Sequence, residues 1–266
     1  MAYGNFFRKD GEAVAEYVYD ESDRKATPSK LLAKSFLYMF IGLVITGVVG
    51  FLIAYAFARG IGNARNSFDS AGKLTQIGWI YIGVMIGSFV ALLIDSFAMN
   101  IILAKGKHTI WIPYIIWCTL MGVLLSSFVL IVDFWTIAEA LGISAGVFLI
   151  MFLVGYFSKV DLNPLGLVAI GVLFMLLFFG LFWGIFAAIN RDVMGLYIFD
   201  LVFTLVFGAV MMLIVAIDAY NIKRILGSAQ QASENLALYC AFTLYNDFII
   251  ILVRVLYLLI LIKGRN

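Results

Sequence analysis

Charge is scarce in this chain. Asp, Glu, Lys and Arg make up 13% of its 266 residues, about half the share of an ordinary soluble domain. Hydrophobic residues make up 64%, and mean hydropathy is +1.05. That balance excludes a water-soluble globular protein and implies an integral membrane protein. The formal net charge is only +2, and no basic stretch is interleaved with aromatics, which excludes nucleic acid as a partner. Histidine occurs once, at His108, so a histidine metal site or a Ser-His pair has no second member; a surface role beside Lys105 and Lys107 is expected. The two cysteines, Cys118 and Cys240, both fall inside apolar runs, where packing is the expected use. No metal site is expected. Strand alternation is also absent, which excludes a transmembrane barrel.

What the chain does have is long apolar runs. Crossing a hydrocarbon core of about 30 Å takes about 20 helical residues, and seven stretches meet that test: 35–58, 78–103, 109–132, 136–157, 165–189, 197–221 and 236–262. In lipid the backbone must satisfy its own hydrogen bonds, so each run is read as a helix. The expected fold class is an all-α integral membrane protein, a seven-transmembrane-helix bundle. It comprises a polar tail over 1–34 and a membrane domain over 35–262. The chain does not open with a cleavable signal pattern, so the first span is expected to remain as an anchor.

The tail balances Arg8, Lys9, Arg24, Lys25, Lys30 and Lys34 against a similar number of acids. Phe6, Phe7, Tyr17 and Tyr19 leave room there for a short interfacial helix. Alternate loops divide the remaining basic residues. Lys105, Lys107, Lys159, Lys223 and Arg224 fall on the tail's side, and Arg59, Arg65, Lys73, Arg191, Lys263 and Arg265 on the other. The positive-inside rule then predicts a cytoplasmic amino terminus.

Two aspartates stand out against this background. Asp218 and Asp247 lie inside the last two apolar runs, where a carboxylate at the membrane centre costs about 2.5–3.5 kcal/mol. Such groups face a bundle interior or a cavity and mark ion or proton paths. With span six ending near Asn221, Asp218 is expected a turn or two from the cytoplasmic edge. Asp247 follows Leu236 by about 16 Å of helix, and Asp95 precedes Leu103 by about 12 Å, so three acids are expected in the same half of the bilayer. Two carboxylates within hydrogen-bond reach cannot readily both ionise in a low dielectric, so the pair is expected to share one proton and titrate as a unit. Arg254, two turns beyond Asp247, falls on the same helix face, too far along the axis for direct contact. Asp133, Glu139, Asp192 and Asp200 are expected to be solvated near span ends.

Bland readings cover much of the rest. Gly42, Gly47 and Gly50, and Gly142, Ser144, Ala145 and Gly146, suit close helix packing. The Gly142 to Gly146 stretch also matches a nucleophile elbow, but it lacks the strand-turn-helix context and a histidine base. Trp79, Trp111 and Trp135 read as interfacial anchors.

Several segments carry a family resemblance. The run 154–166, with Gly155-Tyr156, a polar turn holding Lys159, then Asp161-Leu162 and Leu165-Gly166, resembles the middle of the Bax inhibitor family of membrane proteins. The segments 121–126 and 136–138 agree with it. So do 216–222, with Asp218, and 244–249, with Leu244-Tyr245-Asn246-Asp247-Phe248-Ile249. The resemblance spans roughly 31–256 and leaves the tail outside. It implies a seven-helix protein and a calcium-leak channel, its opening responsive to pH through an aspartate pair, here Asp218 and Asp247. The second span departs from the pattern: some bacterial members place an arginine there, and this chain has Asp95.

On this reading the protein is not an enzyme and holds no cofactor; calcium is the permeant ion, and its partners are the bilayer, calcium and protons. Two alternatives stay open. One is a non-conducting membrane stress regulator that acts through protein contacts. The other is an intramembrane aspartyl protease, whose usual Gly-x-Gly-Asp and Pro-Ala-Leu elements are missing. The lack of a lysine-rich carboxyl tail leads to an expected bacterial cell membrane location.

Overall fold

A computed structural model describes residues 28–57, 76–105, 110–189, 193–228 and 234–263. Within them the chain forms seven helices and no strand: α1 (Pro28–Tyr55), α2 (Gln76–Lys105), α3 (Trp111–Ile131), α4 (Phe134–Phe157), α5 (Asn163–Ile189), α6 (Val193–Ser228) and α7 (Glu234–Lys263). Six of these are long and apolar enough to cross a membrane, and α5 adds a further apolar helix of 27 residues.

The distribution of polarity identifies the solvent. Ser35, Thr46, Ser88, Asp95, Ser126, Thr136, Ser144, Thr204 and Asp247 are buried, while Phe97, Trp135, Leu167, Met175 and Phe178 are more than two-thirds exposed. Water would oppose that arrangement. Hydrocarbon favours it, because the polar groups then find protein partners and the apolar ones face lipid. This is a helical membrane protein.

The helices gather into two compact units, the first holding α1, α2, α3 and the start of α7, the second holding α4, α5, α6 up to Ile225 and α7 from Asn246. In the first unit α1 packs on α3. Leu31, Ser35, Met39, Gly42, Thr46, Gly50 and Ala54 form its buried stripe, spaced three or four residues apart as one helix face requires. Most of them are small. A Cβ on Gly50 would meet the Gly122 carbonyl at 3.1 Å, and one on Gly122 would meet the Thr46 carbonyl at 2.8 Å. The expected close approach holds at Gly42 and Gly50. It does not hold at Gly47, Gly142 or Gly146, where a Cβ would meet nothing within 4 Å; these glycines lie on exposed faces.

A polar cluster ties the first unit together. Thr46 Oγ1 donates to the Cys118 carbonyl at 2.9 Å and lies 2.6 Å from the Tyr245 hydroxyl, while Tyr114 donates to the Tyr38 carbonyl at 2.8 Å. Glu234, in the first turn of α7, accepts from Tyr38 and from the Trp111 indole, both at 3.2 Å. Cys118 and Cys240 are free and buried.

In the second unit, α4 buries Thr136, Ala140, Ser144, Phe148, Phe152 and Gly155. The Ser144 of the apparent elbow motif sits mid-helix, its hydroxyl buried without a hydrogen-bond partner among the described residues. The α4–α5 turn is held by the Val160 amide donating to Ser158 Oγ at 3.2 Å and by the Leu165 and Gly166 amides donating to the Leu162 carbonyl. Pro164 follows in the first turn of α5, where its missing N–H costs nothing.

Three expectations need correcting. The first helix opens at Pro28, so Lys30 and Lys34 stand on its first two turns. Helix α6 runs on to Ser228 instead of ending near Asn221, because Ile222 and Leu226 stay buried while Lys223 and Arg224 point outward. Charge ended the apolar run but not the helix. Asp200 is half-buried and accepts from the Tyr257 hydroxyl at 3.5 Å, whereas Glu139 is exposed, as expected of an acid near a span end, and pairs with Lys263 at 2.6 Å. The expectations for the tail aromatics, His108 and Asp192 concern positions outside the described residues.

Candidate functional site

Three consecutive residues of α6 meet three different helices. The Ala216 backbone lies against Gly155 of α4 so closely that a Cβ at Gly155 would collide with it. Ile217 Cγ2 stands 3.5 Å from where a Cβ on Gly166 of α5 would be. The Asp218 carboxyl comes within hydrogen-bonding reach of that of Asp247 on α7. The run 154–166 therefore supplies Gly155, whose missing side chain lets α4 close on the segment holding Asp218, while at Gly166 a Cβ would make only an ordinary contact with Ile217. Further along, Lys223 Nζ donates to the Ser158 carbonyl at 3.4 Å and lies 5.8 Å above the Tyr156 ring. It serves the α4–α5 turn rather than pairing with Asp218.

The meeting of the two aspartates follows from chain lengths. Asp218 lies ten residues before the end of α6, and Asp247 thirteen after the start of α7, which is about 15 and 20 Å of rise. Neighbouring helices joined by a short connection bring such positions level. Asp247 is only 4% exposed, and its Oδ2 has no partner among the described residues. An ionised carboxylate only accepts hydrogen bonds, so a bond between two carboxyl groups needs a proton on one of them. Phe248, which follows Asp247, ties α7 to α4 by meeting Phe148 edge to face at 5.8 Å, and Phe148 stacks on Phe152 at 6.2 Å. The arrangement can hold one proton between a buried carboxyl group, Asp247, and a half-buried one, Asp218, and exchange it.

Arg254 makes no contact with Asp247; its guanidinium sits 3.8 Å from the Phe207 ring centre on α6. Asp95 belongs to the first unit, on a buried stripe of α2 with Ser88, Leu92 and Met99, and its Oδ2 is buried without a partner among the described residues. Sequence reasoning leaves out Phe207 and Tyr257 and reads Asp200 only as a solvated acid, although a signal exists. Asp200, Phe207 and Asp218 are spaced by seven and eleven residues, which returns a helix to the same face.

A family model described as inhibitor of apoptosis-promoting Bax1 matches residues 28–265. The chain belongs to the Bax inhibitor family. The Bax inhibitor match begins where α1 begins and takes in all seven helices, leaving residues 1–27 outside it. No curated protein matches the chain. Among the described residues no three His, Cys, Asp or Glu side chains gather into one group that would hold a metal ion.

Proposed function

We propose that this Bax inhibitor family protein is a pH-sensitive cation leak channel. In it Asp218 and Asp247 hold the gating proton, and calcium is the permeant ion. The observation that carries the reading is the approach of two carboxyl groups to within hydrogen-bonding reach on α6 and α7, one of them almost wholly buried. It acts as a conductor and not as an enzyme, in a bacterial cell membrane with its amino-terminal end in the cytoplasm.

The mechanism follows from the proton count. With one proton between them, the carboxyl groups attract, and α6 and α7 stay closed on each other. Without it, two like charges about 4 Å apart repel by about 4 kcal/mol at an effective dielectric of 20, more than a typical intramembrane polar contact of about 0.6–2 kcal/mol returns. The helices part, and the exposed carboxylate oxygens form a loose, hard-oxygen site suited to a passing divalent cation rather than to a stored one. Flux therefore rises as pH rises through the titration of the pair and falls on acidification.

The test is calcium flux into proteoliposomes across pH, comparing wild type with Asp218→Asn and Asp247→Asn. Either asparagine keeps the shape and abolishes the shared proton, so the expected outcome is a flat pH profile in both. A wild-type profile in both variants defeats the reading.

A further inference from the structure

The same α6–α7 contact carries a second charged level beyond the carboxyl pair. Phe207 lies eleven residues before Asp218, and Arg254 seven after Asp247, so each shares a helix face with its aspartate. In axial terms they stand about 16 and 10 Å from the pair. The guanidinium rests 3.8 Å from the Phe207 ring centre. Arg254 is half-buried, and among the described residues no carboxylate lies within ion-pair distance of it. Asp200, further along that face of α6, takes the Tyr257 hydroxyl at 3.5 Å instead.

An intramembrane guanidinium keeps its proton. It is therefore a fixed positive charge, held by an aromatic face rather than neutralised by an acid. Any cation that passes between the faces of α6 and α7 must cross its field. At about 13 Å and an effective dielectric of 20, one unit charge lowers the occupancy of a monovalent cation about tenfold and of a divalent cation about a hundredfold. The penalty scales with the charge of the permeant ion, so it weighs most on calcium.

We infer that Arg254, seated on Phe207, sets the electrostatic barrier that keeps the leak slow and makes it slower for divalent than for monovalent cations. The inference rests on the leak reading above, but it concerns rate and selectivity, whereas the aspartate pair concerns pH response.

The experiment measures calcium and potassium flux separately in proteoliposomes at a pH where wild type conducts. Arg254→Gln removes the charge, and the expected result is calcium flux raised by about ten- to a hundredfold with potassium raised about tenfold or less. Arg254→Lys keeps the charge, and an ammonium can also sit over the Phe207 ring, so it should stay within about twofold of wild type. Phe207→Leu keeps an apolar contact while freeing the guanidinium, so it should raise the calcium-to-potassium ratio in the same direction even if the glutamine variant does not fold. An unchanged ratio in Arg254→Gln or, where that variant does not fold, in Phe207→Leu, or an equal rise in Arg254→Lys, overturns the inference. The pH profile of Arg254→Gln should keep its wild-type shape, so failure of the gate shows in the asparagine variants and failure of the barrier shows here.

Discussion

At Thr46 the direction of one hydrogen bond decides what a mutation costs. Its hydroxyl hydrogen goes to the Cys118 carbonyl, so Tyr245, 2.6 Å away, must donate to Thr46. Tyr245→Phe removes only that donor and leaves Thr46 still bonded, which should cost about 1 kcal/mol. Thr46→Val takes the oxygen acceptor from a fully buried Tyr245 hydroxyl and leaves it only the weakly accepting Cys118 sulfur, which should cost about 1–3 kcal/mol. The thermal midpoint in detergent should fall further for Thr46→Val, and the double variant should lose less than the two single losses added together. Equal losses would contradict the assigned direction. Nothing in the sequence announced this pair, because a hydroxyl in a membrane helix costs little and is common. A carboxylate costs much more, which is why Asp218 and Asp247 could be picked out from composition alone, while Arg254 could be noticed but its aromatic seat on Phe207 could not.

Among elements, glycine shows what spacing can and cannot reveal. Gly155 and Gly146 look alike in sequence, both in α4 and both among apolar neighbours. One touches the α6 backbone at Ala216; the other faces open space. Gly155→Ala forces a methyl into a neighbouring carbonyl that cannot swing aside, so α4 and α6 must part, at a cost of about 1–3 kcal/mol. Gly146→Ala should be neutral or stabilising by up to about 1 kcal/mol through helix propensity. Thermal midpoints of the two variants in detergent should move in opposite directions or differ by several degrees. Because Ala216 lies two residues from Asp218, Gly155→Ala should also shift the pH profile of flux. The helices themselves were almost fully legible, since a run of about 20 apolar residues has one viable form in lipid. Their ends were less so. Lys223 and Arg224 stop the apolar run, yet a single helical face with Ile222 and Leu226 still buried carries α6 on to Ser228.

For the molecule in its membrane, orientation hangs on the tail. Eleven basic residues lie on the tail's side against six on the other, and six of the eleven are Arg8, Lys9, Arg24, Lys25, Lys30 and Lys34. Without them the loops stand at five against six, so the bias that orients the chain disappears. Lys30 and Lys34 occupy the first turns of α1, close enough to the membrane edge to count most. The α4–α5 turn offers a reporter: Val160 is 68% exposed, and the native cysteines Cys118 and Cys240 are wholly buried and will not react in its place. With Val160→Cys in intact cells, a membrane-impermeant maleimide should leave the otherwise native protein unlabelled and label it after lysis. Changing the six tail residues to glutamine should give a mixed population, with about half the molecules labelled from outside, as an evenly balanced charge count requires. Labelling of the native-tail protein in intact cells would invert the topology and place Asp218 and Asp247 in the half of the bilayer facing out, so that under the proposed gating acidification outside the cell rather than within would close the leak.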